Sequence, residues 1–414
     1  MKPDAPLFEP DEFGLTEHER ALTTRARELA QSTFTARAAT FDREARFPTE
    51  NYADLHRAGL LAICVPREHG GEGASFRAYM LSAAEIGRYC GATALTWNMH
   101  VCSTLWTGPL TDDLGLDPDT RAQHDVRRRL HYERIVQRGA VYSQSFSEGN
   151  AAASGSAAFS TTARKVDGGW IVNGTKIFAS LSGNAHYYGI LCTEMTDAHT
   201  VSRRQTAYLA VPADADGVQV TGSWDPLGMR GTVSRNLEFR DVFVPEHEAL
   251  MPAGHYYQAV TRWPHMFMTL TPTYIGIAQA AYDFTVRYLR GEWPGAPLAR
   301  RSAAVKQLNV ADMRIRLEQT KALWFRAITD ARVDPSRDQV QRAYCAQFSA
   351  MENANELCQL AIRTCGGQSM LKSLPLERLY RDSRCGSLML PWSADLCLER
   401  LGRDTLYLPG ESDS

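Results

Sequence analysis

A change of pattern in mid-chain constrains the fold more than any other feature. Between Val141 and Pro245, β-branched and aromatic residues alternate with polar ones in short runs bounded by turn residues, the period of half-buried strands. Leu237 and Phe239, for example, alternate with Glu238 and Arg240. The stretch "STTARKV", then Asp167-Gly168, then "GWIVNGTKIFAS" reads as a hairpin whose aspartate-glycine pair suits a type I′ turn. Asn173-Gly174 competes as the turn or marks a bulge. "HYYGILCTEM", "TAYLAVPA", "GVQVTGSW" and "RNLEFRDVFVP" supply further strands. A β-barrel or sandwich of about 100 residues is the economical reading.

Helical patterns flank this segment on both sides. From Leu15 to about Gln137, "LTEHERAL" offers Thr16 as an N-cap with Glu19 completing a capping box, and "NYADLHRAGLLAI" and "FRAYMLSAAEIGRYC" follow as helices. The loop between those two carries Gly70, Gly71 and Gly73, which lack the spacing and the strand-to-helix setting of a nucleotide cradle and read as a structural turn. After Pro252, Val310, Met313, Leu317, Trp324 and Ile328 share one helical face, and several long helices suggest a bundle. The fold class is therefore an α+β multidomain chain: an N-terminal helical domain over 1–138, a β domain over 139–248 and a C-terminal helical bundle over 249–414.

Composition narrows the function. A formal net charge of −2 offers no basic field for nucleic acid, so a small-molecule or carrier-bound substrate is expected. No run of about 18 apolar residues suggests a membrane span, and the start "MKPDAPLFEPDEFG" does not look like a signal peptide, so a cytoplasmic location is expected. The nine cysteines are scattered without a C-x-x-C pair and read as buried reduced thiols; no metal site is expected.

Five strings, in this order, resemble the acyl-CoA dehydrogenase superfamily of flavoproteins: "FPTENYADLHRAGLLAICVPREHGGEGAS", "SEG…TTARKVDGGWIVNGTKIFAS", "DPLGMRGTVSRNLEFRDVFVP", "IGIAQAAYDFTVRYL" and "CGGQSMLKSLPLERLYRDSR". The likeness spans nearly the whole chain. It implies a flavin, FAD rather than FMN, and a homodimer or homotetramer. By resemblance the flavin-contact positions fall on Phe146, Ser147, Phe178 and Ser180. An isoalloxazine ring needs an aromatic or apolar wall and hydrogen-bond partners along its polar edge, which Phe178 and Ser180 can supply. Their bland alternative is ordinary core and a turn hydroxyl. Gly366 and Gly367 match a turn near the cofactor's phosphate and adenine side, often completed by a neighbouring subunit. Arg363 stands where the family usually has glutamine, and a cation there suits a diphosphate. "YLRGEWPGAP" lacks the family's usual diphosphate arginine, for which Arg290 is the candidate substitute.

The resemblance also exposes a loss. Removing a proton alpha to a thioester needs a carboxylate base. The family's usual glutamate, eight residues after the aspartate of an Arg-Asp pair, falls here on Leu390, and no glutamate lies between Glu377 and Glu399. The alternative base position falls on Met266, flanked by Pro264 and Phe267 where the family commonly holds an aspartate and an arginine. Proline and tryptophan at 391 and 392 replace the usual glycine-threonine. Phe267, Leu390 and Trp392 are read as lining an apolar substrate pocket. His265 and His100 are the candidates for proton transfer, each with a packed structural histidine as its alternative.

Three functions are carried forward. The first is a flavin-dependent oxidoreductase with altered chemistry, oxidising or oxygenating an acyl, carrier-bound or specialised-metabolite substrate, with a monooxygenase served by a flavin reductase as one form of it. The second is an acyl-CoA dehydrogenase with a displaced base that passes electrons to an electron-transfer flavoprotein. The third is a flavin-binding scaffold without turnover.

Overall fold

The computed structural model describes residues 5–149, 157–195, 202–293, 301–389, 393–408 and 410–411. Its first layer contains α1 (Glu17–Leu29), α2 (Thr35–Glu44), α3 (Thr49–Arg57), α4 (Phe76–Tyr89), α5 (Gly91–Thr107), α6 (Pro109–Asp112) and α7 (Pro118–Arg138). The capping box forms as expected: Thr16 Oγ1 accepts from the Glu19 amide while a Glu19 carboxylate oxygen accepts from the Thr16 amide. A π-helical turn at Ala30–Phe34 joins α1 to α2, a feature the sequence did not announce. The glycine loop is a tight turn. Gly70 and Gly73 have φ of 85° and 62°, and a Cβ on Gly71 would lie 2.1 Å from the Val65 carbonyl oxygen.

The β region forms one mixed sheet of β1 (Tyr142–Ser145), β2 (Thr162–Val166), β3 (Gly169–Ala179), β4 (Tyr187–Met195), β5 (Thr206–Pro212), β6 (Val218–Thr221) and β7 (Arg235–Pro245). The order is β1-β4-β2-β3-β7-β6, with β5 antiparallel to β4. β1 and β2 both run parallel to β4, along successive parts of it. Asp167-Gly168 makes the hairpin turn, because Val166 pairs with Gly169 across it. Gly174, at φ 146°, instead marks a register shift between β3 and β7. Both halves of the sequence-level ambiguity were therefore real features.

The last layer holds α8 (Tyr256–Arg262), α9 (Thr271–Leu289), α10 (Ala304–Thr329), α11 (Arg337–Cys365), α12 (Leu376–Gly386) and α13 (Ala394–Leu406). Met313, Leu317, Trp324 and Ile328 of α10 are buried on the expected face. Gly276 of α9 meets Gly87 of α4 so closely that a Cβ would lie 2.4 Å from the Ala84 carbonyl oxygen; this approach packs the bundle onto the first layer. Seven of the nine cysteines are buried, as thiols. Among the described residues no helix is long and apolar enough to cross a membrane.

Candidate functional site

The site begins with a distortion of β3. Lys176 pairs with Leu237 and Ala179 pairs with Arg235, so the register shifts across Ile177 and Phe178. Phe178 adopts φ 49° and leaves its ring 69% exposed. Leaving a phenylalanine in water forgoes about 1.5–3 kcal/mol of burial, and a left-handed non-glycine residue costs of order 1–3 kcal/mol. Folding alone gives no return for either. The core alternative for Phe178 is thereby set aside.

Strain concentrates around this point. Seven non-glycine residues have positive φ among the described residues, and four of them, Phe178, Leu181, Met229 and Val233, lie in two segments that touch. The Leu181 amide donates to the Thr232 carbonyl (3.0 Å), and the Ser182 amide and hydroxyl both donate to the Val233 carbonyl (3.2 and 2.8 Å). A hydroxyl chain links the same segments: Ser180 Oγ to Ser234 Oγ (2.7 Å), Ser234 Oγ to Thr232 Oγ1 (2.8 Å), and Thr232 Oγ1 to the Met229 carbonyl (2.9 Å). The Thr232 proton is committed to that carbonyl. Protons can then occupy both remaining links only if Ser234 donates to Thr232 and Ser180 donates to Ser234. Ser180 Oγ is left as an acceptor.

The neighbouring expectations converge here. The Ile177 amide donates to the Ser147 carbonyl (2.8 Å), which sets Phe146 and Ser147 beside the Phe178 bulge. Phe146 packs edge-on against Tyr208 and Tyr256, at centroid distances of 5.5 and 6.0 Å.

The Arg-Asp pair closes the opposite side. Asp382 Oδ1 accepts from the Met229 amide (2.6 Å). Arg381 bonds Asp42 in a bidentate pair (2.9 and 2.6 Å), Glu377 (2.9 and 3.0 Å) and the Leu227 carbonyl (3.0 Å). A Cβ on Gly228 would lie 2.3 Å from the Arg381 carbonyl oxygen. One dipeptide thus fastens α12 to the strained loop and to α2, a positioning role that survives without a catalytic glutamate downstream. Just before the usual base position, Met389 Sδ accepts from the buried Tyr274 hydroxyl of α9 (3.5 Å). Leu390 and Trp392 lie outside the described residues.

The two histidines separate. His100 Nδ1 accepts from the Tyr142 amide (3.0 Å) and Nε2 donates to the Leu61 carbonyl (2.9 Å), with no exposure. Both nitrogens are engaged by backbone, which joins α5 to β1 and favours the packed structural alternative for His100 over proton transfer. His265 is also fully buried, yet among the described residues neither ring nitrogen has a hydrogen-bond partner. Burial lowers its pKa to about 4, so it is neutral at pH 7. It lies in the 3₁₀ stretch Pro264–Leu270, where Met266 and Phe267 are buried and Phe267 stacks on Tyr344 of α11 (5.1 Å, 22°).

Arg290, Arg363, Gly366 and Gly367 form a separate group at the far end of the bundle, where α9 and α11 terminate and Tyr288 donates to Gln368 (3.0 Å). At 1.5 Å per helical residue, this end is about 24 Å along α9 from Tyr274. Arg290 is paired with Glu292 (2.6 Å), which weakens its expected role as a free cation for a diphosphate. Arg363 is exposed, and a Cβ on Gly366 or Gly367 would meet nothing within 4 Å.

A flavin ring fits the residues present. An exposed aromatic face held in a strained turn, beside an acceptor hydroxyl and a buried polar chain, is the donor set that a planar heteroaromatic ring requires.

Sequence and structure comparisons agree on the fold. The profile described as "Acyl-CoA dehydrogenase, N-terminal domain" matches residues 16–109, the middle-domain profile 143–242 and the C-terminal-domain profile 257–389. The short-chain specific acyl-CoA dehydrogenase of Mus musculus is 30% identical over 372 residues, covering 89% of this chain and 86% of that protein. Among solved structures, the nitrososynthase from Micromonospora carbonacea var. africana is 25% identical with a TM-score of 0.79, covering 97% of this chain and 99% of that one. A dibenzothiophene monooxygenase from Paenibacillus sp. A11-2 shares the fold at 22% identity and a TM-score of 0.77, covering 94% and 97% of the two chains.

Proposed function

The chain belongs to the acyl-CoA dehydrogenase family, and from that premise we propose that it is a flavin-dependent oxidoreductase that has abandoned thioester desaturation and oxygenates a small-molecule or carrier-bound substrate. One reading of the sequence carries the proposal: by resemblance the family's two base positions fall on Leu390 and Met266, and no glutamate lies between Glu377 and Glu399 to replace the first. The buried, apolar Met266 and Phe267 support it further, since a site that excludes water serves oxygenation better than a site that ionises a carbon acid. The likeness to a nitrososynthase is in keeping with it.

A bound flavin would supply two-electron transfer. Phe178 would cover one face of the ring, and Ser180 Oγ would accept a hydrogen bond from a ring N–H. Phe146 and Ser147 would close the adjacent edge. His265 keeps the proton-transfer proposal as a neutral imidazole with free nitrogens, whose low pKa suits it to bonding a neutral substrate group better than to ionising one. FAD is proposed over FMN because Arg363 and the two open glycines, a group apart from Phe178 in one chain, would meet the diphosphate of a flavin held by a neighbouring subunit. Assembly as a homodimer or homotetramer is proposed on the exposed Val305, Leu308 and Ile315 of α10 together with Met370 and Leu371.

The test supplies reduced flavin with NADH and a flavin reductase under ¹⁸O₂, together with a panel of amine, aromatic and carrier-bound substrates. Label in an organic product that requires this protein supports oxygenation. Recovery of all consumed oxygen as hydrogen peroxide with every substrate would sink it. The 30% identity to a short-chain acyl-CoA dehydrogenase favours the second reading, desaturation with a displaced base.

A further inference from the structure

Beneath the proposed flavin surface lies a buried ion pair that no step of the proposed chemistry uses. Lys176 of β3 is fully buried, with Nζ 2.5 Å from Glu148 Oε1, 2.5 Å from the Leu191 carbonyl oxygen and 4.6 Å from the centroid of the Phe159 ring. The Glu148 side chain is 2% exposed. Two backbone amides among the described residues also bond it: Ser160 donates to Oε2 (2.6 Å) and Thr161 to Oε1 (3.0 Å). One carboxylate therefore binds both Lys176 and the chain just before β2.

Such a pair is a poor device for stability. Desolvating two ions costs several kcal/mol each, and apolar replacements of similar volume commonly do as well or better. What an apolar pair does not provide is direction. Lys176 is the last residue of β3 in register with β7 before the shift that turns Phe178 outward, and a slip of one residue there would send Phe178 to the opposite face. Glu148 directly follows Ser147, whose carbonyl holds the Ile177 amide inside the same bulge. The two ions thus hold the bulge from β3 itself and from the segment after β1 that bonds it.

We infer that the Lys176–Glu148 pair is a positioning device for flavin binding: it fixes the β3 bulge that presents Phe178 and holds Phe146 and Ser147 against it. The inference rests on the flavin reading above. Both side chains are too deeply buried to touch the ring, so they act through Phe178 and the 146–147 backbone.

The test is Lys176→Met with Glu148→Leu in one chain, which removes both charges at similar volume. Three quantities are measured: thermal unfolding of the flavin-free protein, the Kd for FAD and FMN by fluorescence quenching, and the visible circular dichroism of bound flavin. The expected result is a Tm equal to or above wild type, with flavin Kd raised at least tenfold and the visible dichroism reduced. Glu148→Gln, which keeps shape and an acceptor while removing charge, is the second variant and is expected to raise Kd about threefold. Folded variants with wild-type Kd and dichroism overturn the inference and leave the flavin reading standing. A wild-type protein that binds neither flavin overturns both.

Discussion

Replacing Asp382 by asparagine gives a pH-dependent stability change whose size follows from the structure. The carboxyl is 3% exposed and accepts from the Met229 amide at 2.6 Å. Burial pushes its pKa up to about 6, against the opposing pull of Arg378 and the Met229 N–H. In the unfolded chain the same group titrates near 3.8. Between those values the folded protein holds a proton that the unfolded chain has released. The stability contributed by the neutral carboxyl is therefore fully present below 3.8 and lost as pH rises through 6. The gap is worth about 3 kcal/mol at 1.36 kcal/mol per pH unit. Asparagine keeps an acceptor oxygen and never ionises. Relative to wild type, Asp382→Asn should gain about 1.5 kcal/mol at pH 5 and about 3 kcal/mol at pH 8. Urea unfolding of both flavin-free proteins at the two pH values measures the difference. A difference that is constant with pH, or that moves against the variant as pH rises, would refute the reasoning.

Further outcomes follow from the same physics. Burial lowers the pKa of His100, His124 and His265 to about 4 and of His131 to about 3, so their stabilisation is present above 6.5 and lost as pH falls. Near pH 5 these four release about four protons on folding while Asp382 retains one, so stability should fall by about 4 kcal/mol per pH unit, read from urea midpoints. His265→Phe should reduce that slope by about one third, since the net difference falls from about three protons to about two; an unchanged slope would mean that His265 does not titrate as described. Phe178→Gly should leave Tm unchanged or raised, because the left-handed strain is relieved, while weakening flavin binding about tenfold by fluorescence titration. Lowered Tm with unchanged flavin affinity would contradict the assignment. Leu390→Glu should install measurable acyl-CoA desaturation, followed as flavin bleaching without oxygen; a variant that folds and binds flavin but bleaches with no acyl-CoA would count against Leu390 as the base position.

The sequence exposed the layer order because its signals were local. Thr16 and Glu19 cap a helix, Asp167-Gly168 turns a hairpin, and the alternation at Leu237 and Phe239 buries one face of β7. The site was only half legible. Phe178 and Ser180 were proposed through resemblance, but the strain at Phe178 was not visible, because a positive φ at phenylalanine has no local sequence signal. Neither had the hydroxyl partners Thr232 and Ser234, more than fifty residues away, nor the union of Lys176 with Glu148, which depends on tertiary approach. His100 shows the converse. Its residue type left proton transfer and a packed structural role both open, and only the backbone groups that meet both nitrogens favour the second. The Arg381-Asp382 pair has a structural part apart from any chemistry downstream of it, since its contacts to Asp42, Leu227 and Met229 hold three layers together.

The central claim is that this member of the family has lost thioester desaturation, and the flavin spectrum of the wild-type protein tests it most directly. Purified holoprotein is mixed without oxygen with saturated acyl-CoAs from short to long chain, and the absorbance of the oxidised flavin is followed. The account predicts no bleaching with any of them. Stoichiometric bleaching by a simple acyl-CoA, with formation of the corresponding enoyl-CoA, would contradict it.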